Sequence, residues 1–568
     1  MKTYVCRVLA LFAIAVCVTS SLAIAQRPGA VGATYTNPID LPYRFQPQAP
    51  SRREAADPTM VVYRREYWLF ASKSGGYWHS KDLLNWVKVV PTGLPLEDYA
   101  PTVVAMDDQL YFTAFNSKAI YSAADPGKGE WKKVAEIAAY GDPALFLDDD
   151  GKLYMYSGCS SKTPLMVTEL DRKTFQALRS IPVEVSRDTA HRGWEVPGEN
   201  NDEPLKGTWV EGSWMTKHDG IYYLQYAAAG TQYRTYADGV LVSDSATGPF
   251  HYAPYSPFSF KPTGFISGAG HGSTFKDLNG RWWHIATMTI SVRHSYERRL
   301  GLFPVRFLDD GQMIADTYLA DYPHRLDGDR GLTGWMLLSY EKTATASSVL
   351  DGHGPELAVD ENVRDWWSAK SGNPGEWLRV DLGTVSQVNA VQINFADEGS
   401  TALGDIDDAY RYVLEGSSDG KNWKVLVDHR TKGTDSPHDY EPLTQPARVR
   451  FLRLTNEHMP AGALFSVSGL RIFGRSGTMA PGRPTSVNVQ RDESDARAAI
   501  VSWPPSEGAE MYVVRYGVAP DRLLGSYQIY HATKADVRSL NTGVSYYFTV
   551  DAVNSYGVTA GPPAVSVK

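Results

Sequence analysis

The chain has 568 residues, 43% of them hydrophobic and 21% charged, with a formal net charge of −8. That is the composition of a soluble globular protein long enough for roughly three domains, and the lack of any basic stripe argues against nucleic acid as a partner. Aromatic residues reach 12%, with 15 Trp and 33 Tyr, which favours strands and flat surfaces for stackable ligands such as sugars.

At the N-terminus, Lys2 and Arg7 precede an apolar run from Val8 to Val18 and small residues ending at Ala25. This pattern predicts a secretory signal peptide over residues 1–25, cleaved before Gln26, and hence a secreted protein, periplasmic or extracellular. The apolar run is too short to span a bilayer and no other candidate follows, so no integral membrane contact is expected. Cys17 follows Val16, a poor fit to a lipoprotein signal. Cleavage removes two of the three cysteines and leaves Cys159 alone, so the exported protein should lack an internal disulfide and depend on core size for stability. Losing Lys2 and Arg7 takes the formal charge from −8 to −10.

Residues 26–328 carry a repeat. Aromatic pairs recur at Tyr67-Trp68, Tyr111-Phe112, Tyr154-Met155 (one aromatic here), Tyr222-Tyr223 and Trp282-Trp283, at spacings of 44, 43, 68 and 60. Each follows a short turn and an apolar run, and no helical period is sustained. The fold class predicted is all-β: a five-bladed β-propeller followed by two β-sandwich domains.

Aligning the repeats on these pairs and looking upstream brings Asp57, Ala100, Asp142, Glu211 and His271 together, 10, 11, 12, 11 and 11 residues before the first aromatic. Equivalent positions in a propeller surround its axis, so these side chains should converge on one mouth of the channel. A lone Asp-Pro is an ordinary turn opener, and a lone Glu-Gly is unremarkable. Carboxylates at the same repeat position in three blades repel one another, which implies that charge and protonation are used. His271 lies in "SGAGHGST", which is no phosphate cradle, because strand signals follow it and no Gly-Lys-Ser/Thr is present. "DDDG" from Asp148 lacks the alternating ligands of a calcium loop and reads as a hairpin turn. Trp78, Tyr99, Trp194 and Trp214 are candidates for a sugar platform, with core packing the competing role for each. Arg298 and Arg299 are candidates to clamp hydroxyls, with Arg299 assigned to substrate binding.

Beyond the propeller, residues 329–476 show short alternating strands such as "WLRVDLG" and "VNAVQINF" and read as a sandwich. Residues 477–483 are a Gly/Pro-rich linker. Residues 484–568 read as a smaller sandwich anchored by Trp503 and Tyr546.

The ordered Asp-Pro, Asp-Pro and Glu-Gly motifs with a later Gly-Ala-Gly-His resemble glycoside hydrolase family 43 from Thr36 to Leu326. The resemblance implies a general base at Asp57, an aspartate that tunes the acid's pKa at Asp142 and a general acid at Glu211. It leaves His271 either as a neutral histidine bonded to backbone or as a residue near a water-held channel metal, often calcium; no other cofactor is expected. Implied substrates are α-L-arabinofuranosides and β-D-xylosides, with galactose-containing chains also seen. The insertion from Ser186 to Lys206 should narrow the mouth and favour exo action on an oligo- or polysaccharide. "ATASSVLDGHGPELAVDENVRDWWSAKSGNPGEWLRVDLG" resembles the discoidin-like domain (coagulation factor type C), and through it carbohydrate-binding module family 32. This implies either glycan binding or a buttress. The last segment resembles fibronectin type III and implies a spacer. The reading is thus a monomeric, inverting, exo-acting glycosidase. Three alternatives stand beside it: a glycan-binding or adhesion protein without activity, a galactan- or galactofuranoside-cleaving propeller, and a retaining enzyme of a sister family.

Overall fold

The computed structural model describes residues 32–95, 97–183 and 187–568; the leader read at 1–25 and Ser186 lie outside them. Among the described residues there is no α-helix, only short 3-10 turns, and no helix long and apolar enough to cross a membrane. Five four-stranded antiparallel meanders succeed one another, here blades 1 (56–89), 2 (102–136), 3 (144–183), 4 (211–252) and 5 (267–315). Together they make a five-bladed β-propeller.

The recurring pairs have a packing cause. Successive side chains of a strand point to opposite faces, and the second strand of each blade is covered on both by its neighbours. Tyr67 enters the core shared by blades 5 and 1, whereas Trp68 enters the one shared by blades 1 and 2. Tyr222 and Tyr223 divide likewise between the 3–4 and 4–5 cores, and Tyr154 and Met155 between the 3–4 and 2–3 cores. Inner-strand hydroxyls sew blade to blade: Thr59 donates to Pro101 O (2.7 Å), Leu145 N donates to Thr102 Oγ1 (2.8 Å) and Met60 N to Ser273 Oγ (3.0 Å).

The ring closes through a clasp that the repeat pattern does not reveal. Thr34–Tyr35 pairs with His324–Arg325. Asn37 fixes the clasp to blade 5, donating to Leu302 O and Ala320 O while accepting from Leu302 N, at 2.9–3.0 Å.

The second domain is an eight-stranded hydrogen-bonded system in which Trp377–Phe395 and His438–His458 are long strands with register breaks. The third has a three-stranded and a five-stranded sheet packed around Trp503, Tyr516, Tyr546 and Phe548. It is no detached spacer, because its core is continuous with that of blades 3 and 4. The insertion expected to narrow the mouth docks here instead. Gly193 N donates to Leu540 O (2.9 Å), Thr542 N donates to His191 O (2.8 Å), and none of residues 187–206 lines the mouth.

All three domains meet at Asp321, which has no exposed surface. It accepts from Gln528 Nε2 of the third domain (2.7 Å) and Phe265 N (2.8 Å), and it faces Lys261 at 3.3 Å and Arg471 of the second domain at 3.7 Å. Arg471 also grips Glu361 with two 2.8 Å bonds. Burial pushes the Asp321 carboxyl up, but Lys261 and Arg471 outweigh it and hold it below the usual range. Removing one partner of a buried charge network costs about 3–5 kcal/mol, since it strands the others. Asp321→Ala should therefore lower Tm sharply and split a single calorimetric transition into separate domain transitions.

Candidate active site

Every inner strand begins with the same irregularity. In blade 1 the pairing runs Ala56↔Ser72 and then Thr59↔Phe70, so three steps on the inner strand face two on its partner. Blades 4 and 5 repeat this with Glu211↔Ala227, Trp214↔Gln225 and with Gly270↔Thr287, Ser273↔Ile285. In blades 2 and 3 Phe115 N bonds Tyr99 O and Gly158 N bonds Gly141 O, ahead of Thr102↔Thr113 and Ala144↔Tyr156. The first residue of each bulge has positive φ: Asp57 (52°), Ala100 (44°), Asp142 (42°), Gly212 (62°) and His271 (43°). A bulge re-aims a side chain, and here it turns Asp57, Asp142 and His271 into one mouth.

The repeat alignment is one residue off in blade 4. Gly212, not Glu211, holds the bulge position, and Glu211 reaches the mouth from the residue before. Glycine is needed twice over at 212. Its φ is one that L side chains rarely adopt, and a Cβ there would lie 2.6 Å from the His271 ring.

The mouth is a pocket of about 530 Å³, counted out to its open rim. Asp57 and Asp142 are each only 5% exposed, and Glu211 is half-buried. Asp57 accepts from Ser72 Oγ (2.5 Å) and from Arg298 Nη1 (3.3 and 3.4 Å), with His271 Nδ1 at 3.3 Å. Burial raises its pKa, but Arg298, His271 and the hydroxyls of Ser72 and Thr287 together hold it below the usual carboxylate range.

Asp142 has less support. It accepts a 3.3 Å bond from Gly212 N and stands 3.7 Å from His271 Nδ1. Burial, with Glu211 and Asp57 as like charges, pushes it up to about 7 against the pull of His271. An oxygen of Asp142, an oxygen of Glu211 and Cys159 Sγ lie within 4.8 Å of one another. Glu211 accepts from Tyr236 OH at 2.6 Å and from Cys159 Sγ at 3.2 Å. Burial pushes both groups up, helped by Asp142 and Glu211 at the Cys159 thiol and by Glu211 and Asp57 at the Tyr236 hydroxyl, so both stay protonated donors.

Beneath the pocket, His271 N and Gly272 N donate to Asp238 at 2.7 and 3.0 Å. His271 therefore presents backbone to Asp238 and its ring to the two aspartates, and the ring is held above its usual pKa because Asp57 and Asp142 outweigh burial.

Of the expected substrate-binding residues, His271 is in the pocket and three others are not. Trp78 has no exposed surface and packs in the core of blades 5 and 1. Trp194 is equally buried and bonds Tyr252 OH (2.9 Å) in the core shared with the third domain. Arg299 turns away from the pocket to His438 Nε2 (2.7 Å) and Arg53 O (2.5 Å), because consecutive strand residues face opposite sides and Arg298 takes the pocket side. Tyr99 lines the pocket, whereas Trp214 donates to Thr274 O (3.0 Å), joining blades 4 and 5. Sequence reasoning missed Tyr236, Thr231 and Tyr296, which come from loops without a repeat position. An Asp57 carboxylate held down by Arg298 and an Asp142 carboxyl of raised proton affinity give this pocket the means for acid–base chemistry.

Residues 50–313 match glycosyl hydrolases family 43, and residues 343–467 match the F5/8 type C domain. Among curated proteins, a xylan 1,3-beta-xylosidase from Vibrio sp is 27% identical over 279 residues, 42% of this chain and 49% of that one. A beta-D-galactofuranosidase from Aspergillus niger is 26% identical, over 35% of this chain and 64% of its own length. A xylosidase/arabinosidase from Butyrivibrio fibrisolvens is 28% identical, over 36% and 43%. The chain thus spans between about two-fifths and two-thirds of the length of these relatives.

Two outcomes follow. Gly212→Ala combines a disfavoured φ with a clash on a buried ring and should cost about 2–4 kcal/mol, read as a drop in denaturant midpoint. For Asp142, the folded pKa of about 7 exceeds the ordinary 3.8, so its stabilising contribution is present at low pH and lost as pH rises through 7. The Tm of Asp142→Asn should therefore match the parent protein near pH 4 and exceed it by several degrees at pH 8.

Proposed function

From a family 43 glycosyl hydrolase domain at residues 50–313 and an F5/8 type C domain at 343–467, we propose that the protein is an exo-acting, inverting glycosidase. It removes terminal sugars, α-L-arabinofuranosyl or β-D-xylosyl, from an oligo- or polysaccharide. The observation that carries this is one pocket holding carboxyls pushed in opposite directions, Asp57 down and Asp142 up. Environments that split carboxyl pKa values mark out base and acid.

Asp57, ionised and held by Arg298 and Ser72, takes a proton from the attacking water. Asp142 retains a proton near neutrality, with Glu211 beside it. Glu211, nearer solvent than either aspartate, delivers it to the leaving oxygen. Before substrate arrives, burial and its like-charged neighbours hold the Asp142 carboxyl well above the usual carboxylate range. Arg298 also bonds Thr231 (3.2 Å) and Glu54 (2.8 Å), which fixes the base's orientation. The names of the relatives support pentose substrates, and the Aspergillus protein keeps galactofuranosides as the second choice.

A calcium ion takes about 6–8 oxygen ligands, and the His271 ring, held above its usual pKa between Asp57 and Asp142, does not fit as one of them. Secretion is read from residues 1–25, and action as a monomer completes the proposal.

Release of 4-nitrophenol from its arabinofuranoside or xyloside should fall by roughly 10²–10⁴ in Asp57→Ala and Glu211→Gln. The rate should decline as pH rises through about 7, where the Asp142 carboxyl loses its proton. NMR of the first-formed sugar should show the inverted anomer. Glycan binding with no release would favour a lectin, and a retained anomer a nucleophilic route.

A further inference from the structure

Trp78 and Trp194 are locked in cores, yet one tryptophan beside the acid is not. Trp209 is 47% exposed. Among the described residues its ring stacks on no aromatic, lies under no cation and its indole N–H has no acceptor. A single exposed apolar side chain is ordinary on a protein surface; what singles out Trp209 is its place two residues before Glu211.

Its direction follows from the local pairing. Val210 and Ser160 exchange both backbone bonds at 3.2 Å. In an antiparallel bridge at 160–210, residue 159 faces 211 and residue 161 faces 209. The first of these is seen directly, in the 3.2 Å contact of Cys159 Sγ with Glu211. Thr208 and Val210 are buried at 4% and 2% whereas Trp209 and Glu211 are not, the alternation of an extended chain, so Trp209 lies on the side of Glu211, just beyond the residues that line the pocket. Two residues of extended chain separate them by about 7 Å.

We infer that Trp209 is the platform for the first sugar of the leaving group, stacking its indole on the apolar face of a pyranose ring. The inference rests on the hydrolase reading, in which Glu211 protonates the leaving oxygen; the group carrying that oxygen must depart past Glu211 toward the rim, where Trp209 stands. Asp57 and Asp142 lie on the buried side and hold the sugar that is released. Specificity for the leaving chain would thus sit on a residue just before the acid's own strand, outside the pocket that reads the terminal sugar. An indole favours flat, C–H-rich pyranose faces, which suits a xylan-type backbone.

The test compares Trp209→Ala with the parent on two glycosides of the same terminal sugar, one bearing a xylo-oligosaccharide and one a methyl group as leaving group. The loss of kcat/KM should be roughly tenfold greater on the oligosaccharide, the size of one aromatic stack, arise mainly in KM, and be largely restored by Trp209→Phe. Equal losses on both substrates, or none on the oligosaccharide, overturn the inference. A second readout needs no turnover. In the Glu211→Gln background, Trp209→Ala should weaken calorimetric binding of the xylo-oligosaccharide roughly tenfold, and unchanged affinity again overturns it. If the parent enzyme hydrolyses neither glycoside but binding still depends on Trp209, the hydrolase reading falls while the platform stands.

Discussion

The site depends on a backbone requirement repeated five times: at the head of each inner strand the chain must turn through positive φ to make its bulge. For non-glycine residues such conformations cost of order 1–3 kcal/mol each, and four of the five positions bear side chains. What holds them is the interblade sewing by Thr59, Thr102 and Ser273 just downstream, together with Thr287, whose hydroxyl accepts from Asp57 N at 2.8 Å. The strain keeps Asp57, Asp142 and His271 facing one another with little surface exposed to water. Without the bulge, alternation would send each of them along the wall of its blade.

Burial then does the electrostatic sorting. Both aspartates are equally covered, and the neighbours decide the sign. Asp57 meets a guanidinium and two hydroxyls, whereas Asp142 meets one long backbone bond and the charges of Glu211 and Asp57. Arg298 is itself buried between Glu54 and Asp57, so its charge cannot be diluted by solvent. One residue further along, Arg299 faces the second domain, and this single step separates a pocket residue from an interdomain one.

The sequence made the ring of blades legible because the second strand of each is buried on both faces, which forces consecutive large apolar side chains with a turn before them. The converging carboxylates were legible because a repeat transfers position from blade to blade. Three things were hidden. The one-residue shift at Glu211 and Gly212 is a matter of backbone conformation, signalled only by the glycine. The fates of Trp78, Trp194 and Trp209 depend on what covers them, and nothing local to a tryptophan says whether another domain will. The N-terminal clasp and the insertion's docking on Leu540 are long-range pairings between segments of no special composition.

Asp321 carries the last consequence. Because one carboxylate is shared by Lys261, Arg471 and Gln528, the accessory modules cannot trail on a leash and fish for polymer at a distance. They travel with the mouth of the propeller at a fixed bearing. Any ligand held by them would reach the pocket along one approach, and geometry rather than tether length would decide which part of it enters.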